Sequence, residues 1–298
     1  MTIAAPISMG RASATDRRPR DDELDLFGVT HAGLVRAENE DQFLLCTVHP
    51  HVIVHATSLP DPSEIGQMGQ RLATIMLVAD GVGGSAAGNR ASRIATEAVT
   101  RYVASSLRCY HDVDATMGVN FEEALRSAAL EAHETVRHEA QEVPDESGMA
   151  TTLSLAIVVW PWLYVVQVGD SRCYLCEGGA LRQLTRDQTF AQDLVEQGVF
   201  TAQDAKSSPL NNVLSSAIGA SEALPEITRV DVRDRSCVIC VCTDGLTKHV
   251  SDAEIERHLA TMESAEQVAR ALLQLALDRG GTDNITLVVG RAPKRAAD

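Results

Sequence analysis

The sequence predicts one α+β domain built from antiparallel sheets with helices segregated from them. Three observations carry that prediction. Apolar runs come in neighbouring pairs, not in strand–helix alternation, which disfavours a doubly wound sheet. Amphipathic helical stretches gather in two blocks, one ending near residue 140 and one beginning near residue 251. Neither an internal repeat nor an interior linker divides the 298 residues, and at 45% hydrophobic content they can bury a core without disulfides or structural metal.

Residues 1–23 are rich in Ala, Ser, Arg and Asp without periodicity, so a disordered tail is expected there. The domain proper is expected over 24–293, with 294–298 as a second tail. DLFGVTHAG (25–33) alternates weakly and QFLLCTV (42–48) is a short apolar run. Together they suggest a hairpin connected by LVRAENED. Residues 49–71, with His49, His51 and His55, read as an insertion loop.

ATIMLVAD (73–80) is nearly unbroken apolar sequence, as a strand covered on both faces requires. After DGVGG a helix follows, with Ile94, Ala95, Ala98, Val99, Tyr102 and Val103 at helical spacing. A second helix, about 121–140, places Ala124, Leu125, Ala128, Ala132 and Val136 on one face. ATTLSLAIVVW (150–160) and WLYVVQVG (162–169) flank Pro161, while SRCYLCE (171–177) and ALRQL (180–184) flank Gly178-Gly179; both read as hairpins. Residues 187–225 are polar, with short helical pieces at 188–197 and 201–206. SCVICVCTD (236–244) is another buried strand, helices follow at 251–260 and 264–279, and NITLVVGRA (284–292) is the last strand.

Charge and cysteine usage limit the partners. Asp and Glu number 41 against 26 Lys and Arg, a formal net charge of −15. Such a surface repels phosphate backbones and anionic lipid, so neither nucleic acid nor membrane is expected as a partner. Seven cysteines cannot all pair within the chain. Cys173–Cys176 and Cys237–Cys240 have zinc-like spacing, but residues three apart on a strand point to opposite faces. Reduced core cysteines and a cytoplasmic location are expected instead. The first residues lack the apolar stretch of a signal peptide, and Pro161 interrupts the longest apolar region.

The chemistry gathers at strand ends. Glu40 and Asp41 precede QFLLCTV, Asp80 ends ATIMLVAD, Asp170 ends WLYVVQVGD, Asp244 ends CVICVCTD, and Asp283 precedes NITLVV. One Asp at a strand end is an ordinary turn residue. Basic residues are scarce around these positions, with Arg36 and Arg172 the nearest, so repeated carboxylates beside apolar runs would repel one another unless cations were held between them. All-oxygen ligands favour Mg²⁺ or Mn²⁺. Two such ions can acidify a shared water and aim it at a phosphoryl centre. The Gly81 carbonyl is a further candidate ligand, because glycine lets the main chain approach closely.

The ordered motifs GLVRAENED (33–41), LVADGVGG (77–84), GMATTLSLA (148–156), VGDSR (168–172), CTDGL (242–246) and TDNIT (282–286) resemble those of the metal-dependent protein serine/threonine phosphatases, the PPM or type 2C family, in its bacterial form. The resemblance implies a four-layer α-β-β-α sandwich, two antiparallel sheets face to face with helices outside, and a metal site at one end. It implies Mg²⁺- or Mn²⁺-dependent hydrolysis of phosphoserine and phosphothreonine in proteins by a metal-bridged hydroxide, in signalling that opposes serine/threonine kinases. The implied partners are phosphorylated proteins, a serine/threonine kinase or its targets. Asp80 would bridge two metals with the Gly81 carbonyl, and Asp244 and Asp283 would hold the first. Glu40 and Asp41 would bind the second metal or metal-coordinated waters. Asp170, with Asp244, would form a third site. Arg36 would grip the phosphate, and Asn284 would orient a neighbouring carboxylate or loop.

One departure concerns Val82, where many eukaryotic relatives carry a histidine proposed as general acid; valine has no proton to give. Segment 185–220 resembles the family's flap beside the active site, and is expected to be mobile and to influence substrate choice. A small-molecule phosphatase and a catalytically silent binding module are the rival readings. The second predicts missing ligands, and the carboxylates are present. His133-Glu134 with His138 lacks zincin spacing, and DGVGGSAAG lacks the lysine of a Walker loop.

Overall fold

The computed structural model describes residues 17–49, 70–83, 85–110, 118–142, 148–235 and 237–293. Residues 1–16 of the expected tail, His51 and His55 of the insertion loop, and the 294–298 tail lie outside the described residues.

Strands β1 (Asp25–His31), β2 (Gln42–Val48), β3 (Ala73–Ala79) and the two-residue β4 (Gly81–Val82) lead into helices α1 (Ser85–Tyr110) and α2 (Gly118–Glu142). Then come β5 (Ala150–Thr151), β6 (Leu153–Val159), β7 (Trp162–Val168), β8 (Arg172–Glu177) and β9 (Ala180–Gln183). Short helices α3 (Phe190–Glu196) and α4 (Ala202–Ser207) precede β10 (Glu226–Asp231) and β11 (Val238–Cys242). The elements end with α5 (Asp244–Thr247), α6 (Asp252–Ala260), α7 (Ala265–Asp278) and β12 (Ile285–Arg291). One five-stranded sheet has the order β1-β12-β11-β8-β9, the other β10-β7-β6-β3-β2. Every pairing is antiparallel.

The side-chain period of two builds the layers. Met76 and Val78 of β3 meet Leu175, Ile239, Val241 and Val288 between the sheets. Ile75, Leu77 and Ala79 of the same strand face Ala95, Val99, Leu125 and Ala132 of α1 and α2. On the opposite outer face Cys240, Leu287 and Val289 pack against Ile255, Leu259, Val268 and Leu272 of α6 and α7. This is the expected α-β-β-α sandwich. The cysteine argument holds as well. Cys173 and Cys237 lie between the sheets, Cys176 and Cys240 lie under the helices, and all four are free. No helix among the described residues is long and apolar enough to cross a membrane.

Two expectations fail and one strand goes unread. β1 and β2 do not form a hairpin: β1 pairs with β12 and β2 with β3, in different sheets. Their connection crosses the end of the sandwich and so carries Arg36, Glu40 and Asp41 over the gap between sheets. Residues 17–23 are not a loose tail. Glu23 is buried, receives Arg17 at 2.5 and 2.8 Å, and lies 3.2 Å from Arg235, while Asp21 pairs with Arg71. Ion pairs anchor this segment, and they leave no apolar periodicity to read. β10 was not anticipated, because Glu226, Thr228, Arg229 and Asp231 dilute its apolar signal; it is an edge strand, half-buried along most of its length.

Candidate metal centre

Strand register brings the acidic residues together. Gln42 lies opposite Ala79, and Cys242 opposite Leu287. The residues before β2 and β12 therefore share one end of the sandwich with those after β3 and β11. A cleft of about 760 Å³ opens there, lined in part by Arg36, Glu40, Asp80, Gly81, Asp170, Asp244, Lys248, Asp283 and Asn284. Asp41 lies buried beside it, within electrostatic reach of Asp244 and Asp283.

Asp80 and Glu40 are held through their backbones. The Asp80 N–H donates to Thr152 Oγ1 at 2.9 Å, and the Asp80 carbonyl accepts from Thr152 N and Thr151 Oγ1, both at 2.9 Å. Thr152 Oγ1 in turn lies 2.7 Å from Ser171 Oγ, which ties Asp80 to the loop bearing Asp170. A side chain at Gly81 would put its Cβ 2.3 Å from the Gly88 carbonyl, so only glycine fits between Asp80 and α1. Gly245 is tighter, with a Cβ 1.8 Å from the Asn284 carbonyl. This explains why Asp-Gly follows β11 where Asp-Asn precedes β12. Asn284 accepts from Glu40 N at 2.8 Å and donates to the carbonyls of Ala32 and Glu38 at 2.9 and 2.8 Å. It pins the crossing loop that presents Glu40.

The electrostatics are those of uncompensated negative charge. Burial, then repulsion from the neighbouring carboxylates, raises Asp41 to about 7 and Asp170 to about 8. Asp80 is driven well above its usual range by burial and then by Asp41, Asp244, Asp170 and Asp283. Burial raises Glu40 and Asp244 as well. Asp283 is the exception. Burial pushes it up, but hydrogen bonds from Lys248 and Arg36 outweigh that and leave it lowered.

The donor set fits hard divalent cations. It is all carboxylate and carbonyl oxygen, and two of its oxygens, Asp41 Oδ1 and Asp244 Oδ1, are buried without a hydrogen-bond partner among the described residues. An unpaired buried acceptor is costly, and a cation would satisfy it. As the side chains stand, no three His, Cys, Asp or Glu among the described residues converge closely enough to grip an ion. Two cations intervene. Lys248 Nζ lies 2.6 Å from Asp244 Oδ2 and 2.7 Å from Asp283 Oδ2, and Arg36 Nε lies 2.8 Å from Asp283 Oδ1.

Four side chains were missed in the sequence. Lys248 sits four residues after Asp244 at the end of a helical turn, the spacing that lets an acid and a base meet; that signal was available. Thr243 Oγ1 donates to Asp41 Oδ2 at 2.8 Å, and Thr151 and Thr152 clamp Asp80; hydroxyl partners of this kind leave no sequence signature. Arg172, close to Asp170 in sequence, turns away to Asp187 at 2.6 Å and Tyr174 OH at 2.9 Å, outside the cleft lining. Val82 is 41% exposed at the cleft and offers no proton. His49 lies 3.0 Å from Thr47 Oγ1 and 3.7 Å from Asp21 Oδ2, outside the cleft lining. Phe190 and Val213 of segment 185–220 form an exposed apolar part of the cleft lining.

A two-sheet sandwich with an all-oxygen carboxylate cleft at one end is a scaffold whose donor set suits hard divalent cations. Residues 64–278 match the family model described as protein phosphatase 2C. The chain is 34% identical over 257 residues to the serine/threonine protein phosphatase PstP of Mycobacterium tuberculosis, covering 86% of this chain and 43% of that protein. It is 32% identical over 218 residues to the serine/threonine phosphatase stp of Listeria monocytogenes, covering 72% of this chain and 83% of that one. The crystal structure of the PstP catalytic domain in complex with two manganese ions superposes with a TM-score of 0.68 at 28% identity, covering 90% of this chain and 97% of that one. The chain belongs to the protein phosphatase 2C family. It spans less than half the length of its mycobacterial relative.

Proposed function

We propose that this chain hydrolyses phosphoserine and phosphothreonine in proteins with Mg²⁺ or Mn²⁺ as cofactor, opposing serine/threonine kinases in the cytoplasm. The observation that carries this reading is the pair of orphaned buried oxygens, Asp41 Oδ1 and Asp244 Oδ1, beside four further carboxylates at one end of the sandwich. Asp80 and the Gly81 carbonyl would be shared between two ions. Asp244 and Asp283 would hold the first, Glu40 and Asp41 the second directly or through water, and Asp170 with Asp244 a third. Once bound, such ions acidify water and neutralise charge on phosphoryl oxygens. The chain's own residues do the rest. Arg36, half-exposed at the mouth, offers a guanidinium fork to the phosphate. Thr243 and Asn284 keep Asp41 and the Glu40 loop in place. With Val82 at the cleft, the departing alkoxide takes its proton from water. Phe190 and Val213 face the residues flanking the phosphorylated one. Residues 24–293 act as one catalytic domain, with 185–220 as a flap selecting substrates.

Phosphate release from a phosphothreonine peptide and from sugar phosphates, in Mn²⁺ and in EDTA, tests the reading. The peptide should be cleaved only with Mn²⁺, the sugar phosphates poorly, and D80A should be inert. A folded protein that releases no phosphate from the peptide would overturn it.

A further inference from the structure

We infer that Lys248 is a resident counter-cation that a divalent metal must displace from Asp244 and Asp283, so that it sets the metal affinity of the cleft. The inference rests on the metal reading proposed above. Lys248 Nζ bridges Asp244 Oδ2 and Asp283 Oδ2 at 2.6 and 2.7 Å, and so sits between the two carboxylates assigned to the first ion. Among the described residues of the cleft lining, the only other cationic side chain is Arg36, which lies on Asp283 alone. With these two in place, no three potential ligands converge on a point. The Asp244 and Asp283 carboxylates both face the ammonium.

The same geometry makes the contact reversible. Lys248 follows α5 directly and carries a flexible four-carbon stem with a compact charge, so its head can leave without the backbone moving. Its side chain is 33% exposed, which gives the released ammonium a path to water. A bidentate guanidinium would be harder to dislodge. The device keeps two carboxylates compensated in the metal-free protein, and weakens metal binding by the strength of the contacts that must break.

The test is isothermal titration of EDTA-stripped protein with MnCl₂, together with thermal melts of the metal-free forms. K248M should bind its tightest Mn²⁺ about tenfold more strongly than wild type, as expected for loss of a competing charge-assisted contact. The metal-free K248M protein should melt lower, and the gap should close when Mn²⁺ is saturating. K248R keeps a cation in place and should bind Mn²⁺ no more tightly than wild type. K248Q carries the same comparison if K248M does not fold. Mn²⁺ affinity in K248M or K248Q equal to or weaker than wild type would overturn the inference and leave the phosphatase reading intact. No Mn²⁺ binding by any form would overturn both.

Discussion

The two ends of the sandwich bury charge in opposite ways. Where β1, β3 and β11 begin, Glu23 is enclosed by Arg17 and Arg235, with Arg20 3.6 Å away, and Arg71 pairs with Asp21. Arg17 chiefly holds the Glu23 carboxyl far below its usual range. Where β3 and β11 end, Asp41, Asp80, Asp170 and Asp244 lie together, and burial drives all four up. Both ends draw on the same residue types. The difference is stoichiometry: one end supplies a cation for each buried acid, and the other leaves acids unbalanced. A balanced cluster closes a fold; an unbalanced one is completed by something from solution.

The sharpest way to break this contrast is to remove one acid from each end. Asp80→Asn should cut phosphate release by about 10³-fold or more. It should leave the metal-free melting temperature unchanged or higher, since one repelling carboxylate is gone. Glu23→Gln should do the reverse. It removes the carboxylate that buried Arg235 and half-exposed Arg17 both face, and the midpoint should fall by roughly 5 °C or more, while activity per folded molecule stays near wild type. Equal stability losses at both ends would show that the cleft acids are structural.

Metal should separate the ends next. At about a hundred times its dissociation constant, Mn²⁺ should stabilise wild type by about 2.7 kcal/mol. Glu23→Gln should gain the same increment from its lower starting point, and Asp80→Asn should gain almost none. Thermal melts with and without Mn²⁺ read this directly.

The ends should also respond to pH with opposite sign. Asp41 and Asp170, raised to about 7 and about 8, stay protonated in the folded metal-free chain where the unfolded chain has lost its protons. The unfolded state then binds fewer protons, so their contribution to stability falls as pH rises from about 4 toward about 8. Glu23 is depressed, so its contribution is present above about 4 and is lost as pH falls below that. Melts of the metal-free protein from pH 4 to 8 should decline on the alkaline side, and Mn²⁺ should flatten that decline. A metal-free midpoint that rises between pH 6 and 8 would contradict the crowding of acids in the cleft.

The sequence made the functional end easier to read than the structural one. Asp80, Asp244 and Asp283 sit against long apolar runs and inside Asp-Gly or Asp-Asn pairs, so strand ends could be found and then the acids on them. Glu23 and Arg235 are 212 positions apart and neither borders a periodic stretch, so nothing local announced their pairing. The false hairpin between β1 and β2 has a related cause. Two half-buried strands joined by ten residues look alike whether they pair or cross between sheets, and only the partner β12, at the far end of the chain, decides. Lys248 was legible as an acid–base pair four apart on a helix, but it was passed over for Arg172, which is nearer to Asp170 in sequence and farther from the cleft's chemistry.

The smallest expected effect tests whether the functional end extends onto segment 185–220 as the proposed flap. Phe190 is 49% exposed on the cleft wall, whereas Val199, 63% exposed on the same segment, lies outside the lining. If the apolar wall covers residues flanking the phosphorylated one, Phe190→Ser should remove about 1 kcal/mol of apolar contact. That corresponds to a roughly fivefold loss in kcat/KM. The loss should appear with a phosphopeptide carrying apolar flanks and vanish with p-nitrophenyl phosphate, which has no flanks to cover. Val199→Ser should change neither substrate. A loss shared by both substrates would instead place Phe190 with the residues that hold the carboxylates, and the boundary of the unbalanced end would then lie at Phe190 itself.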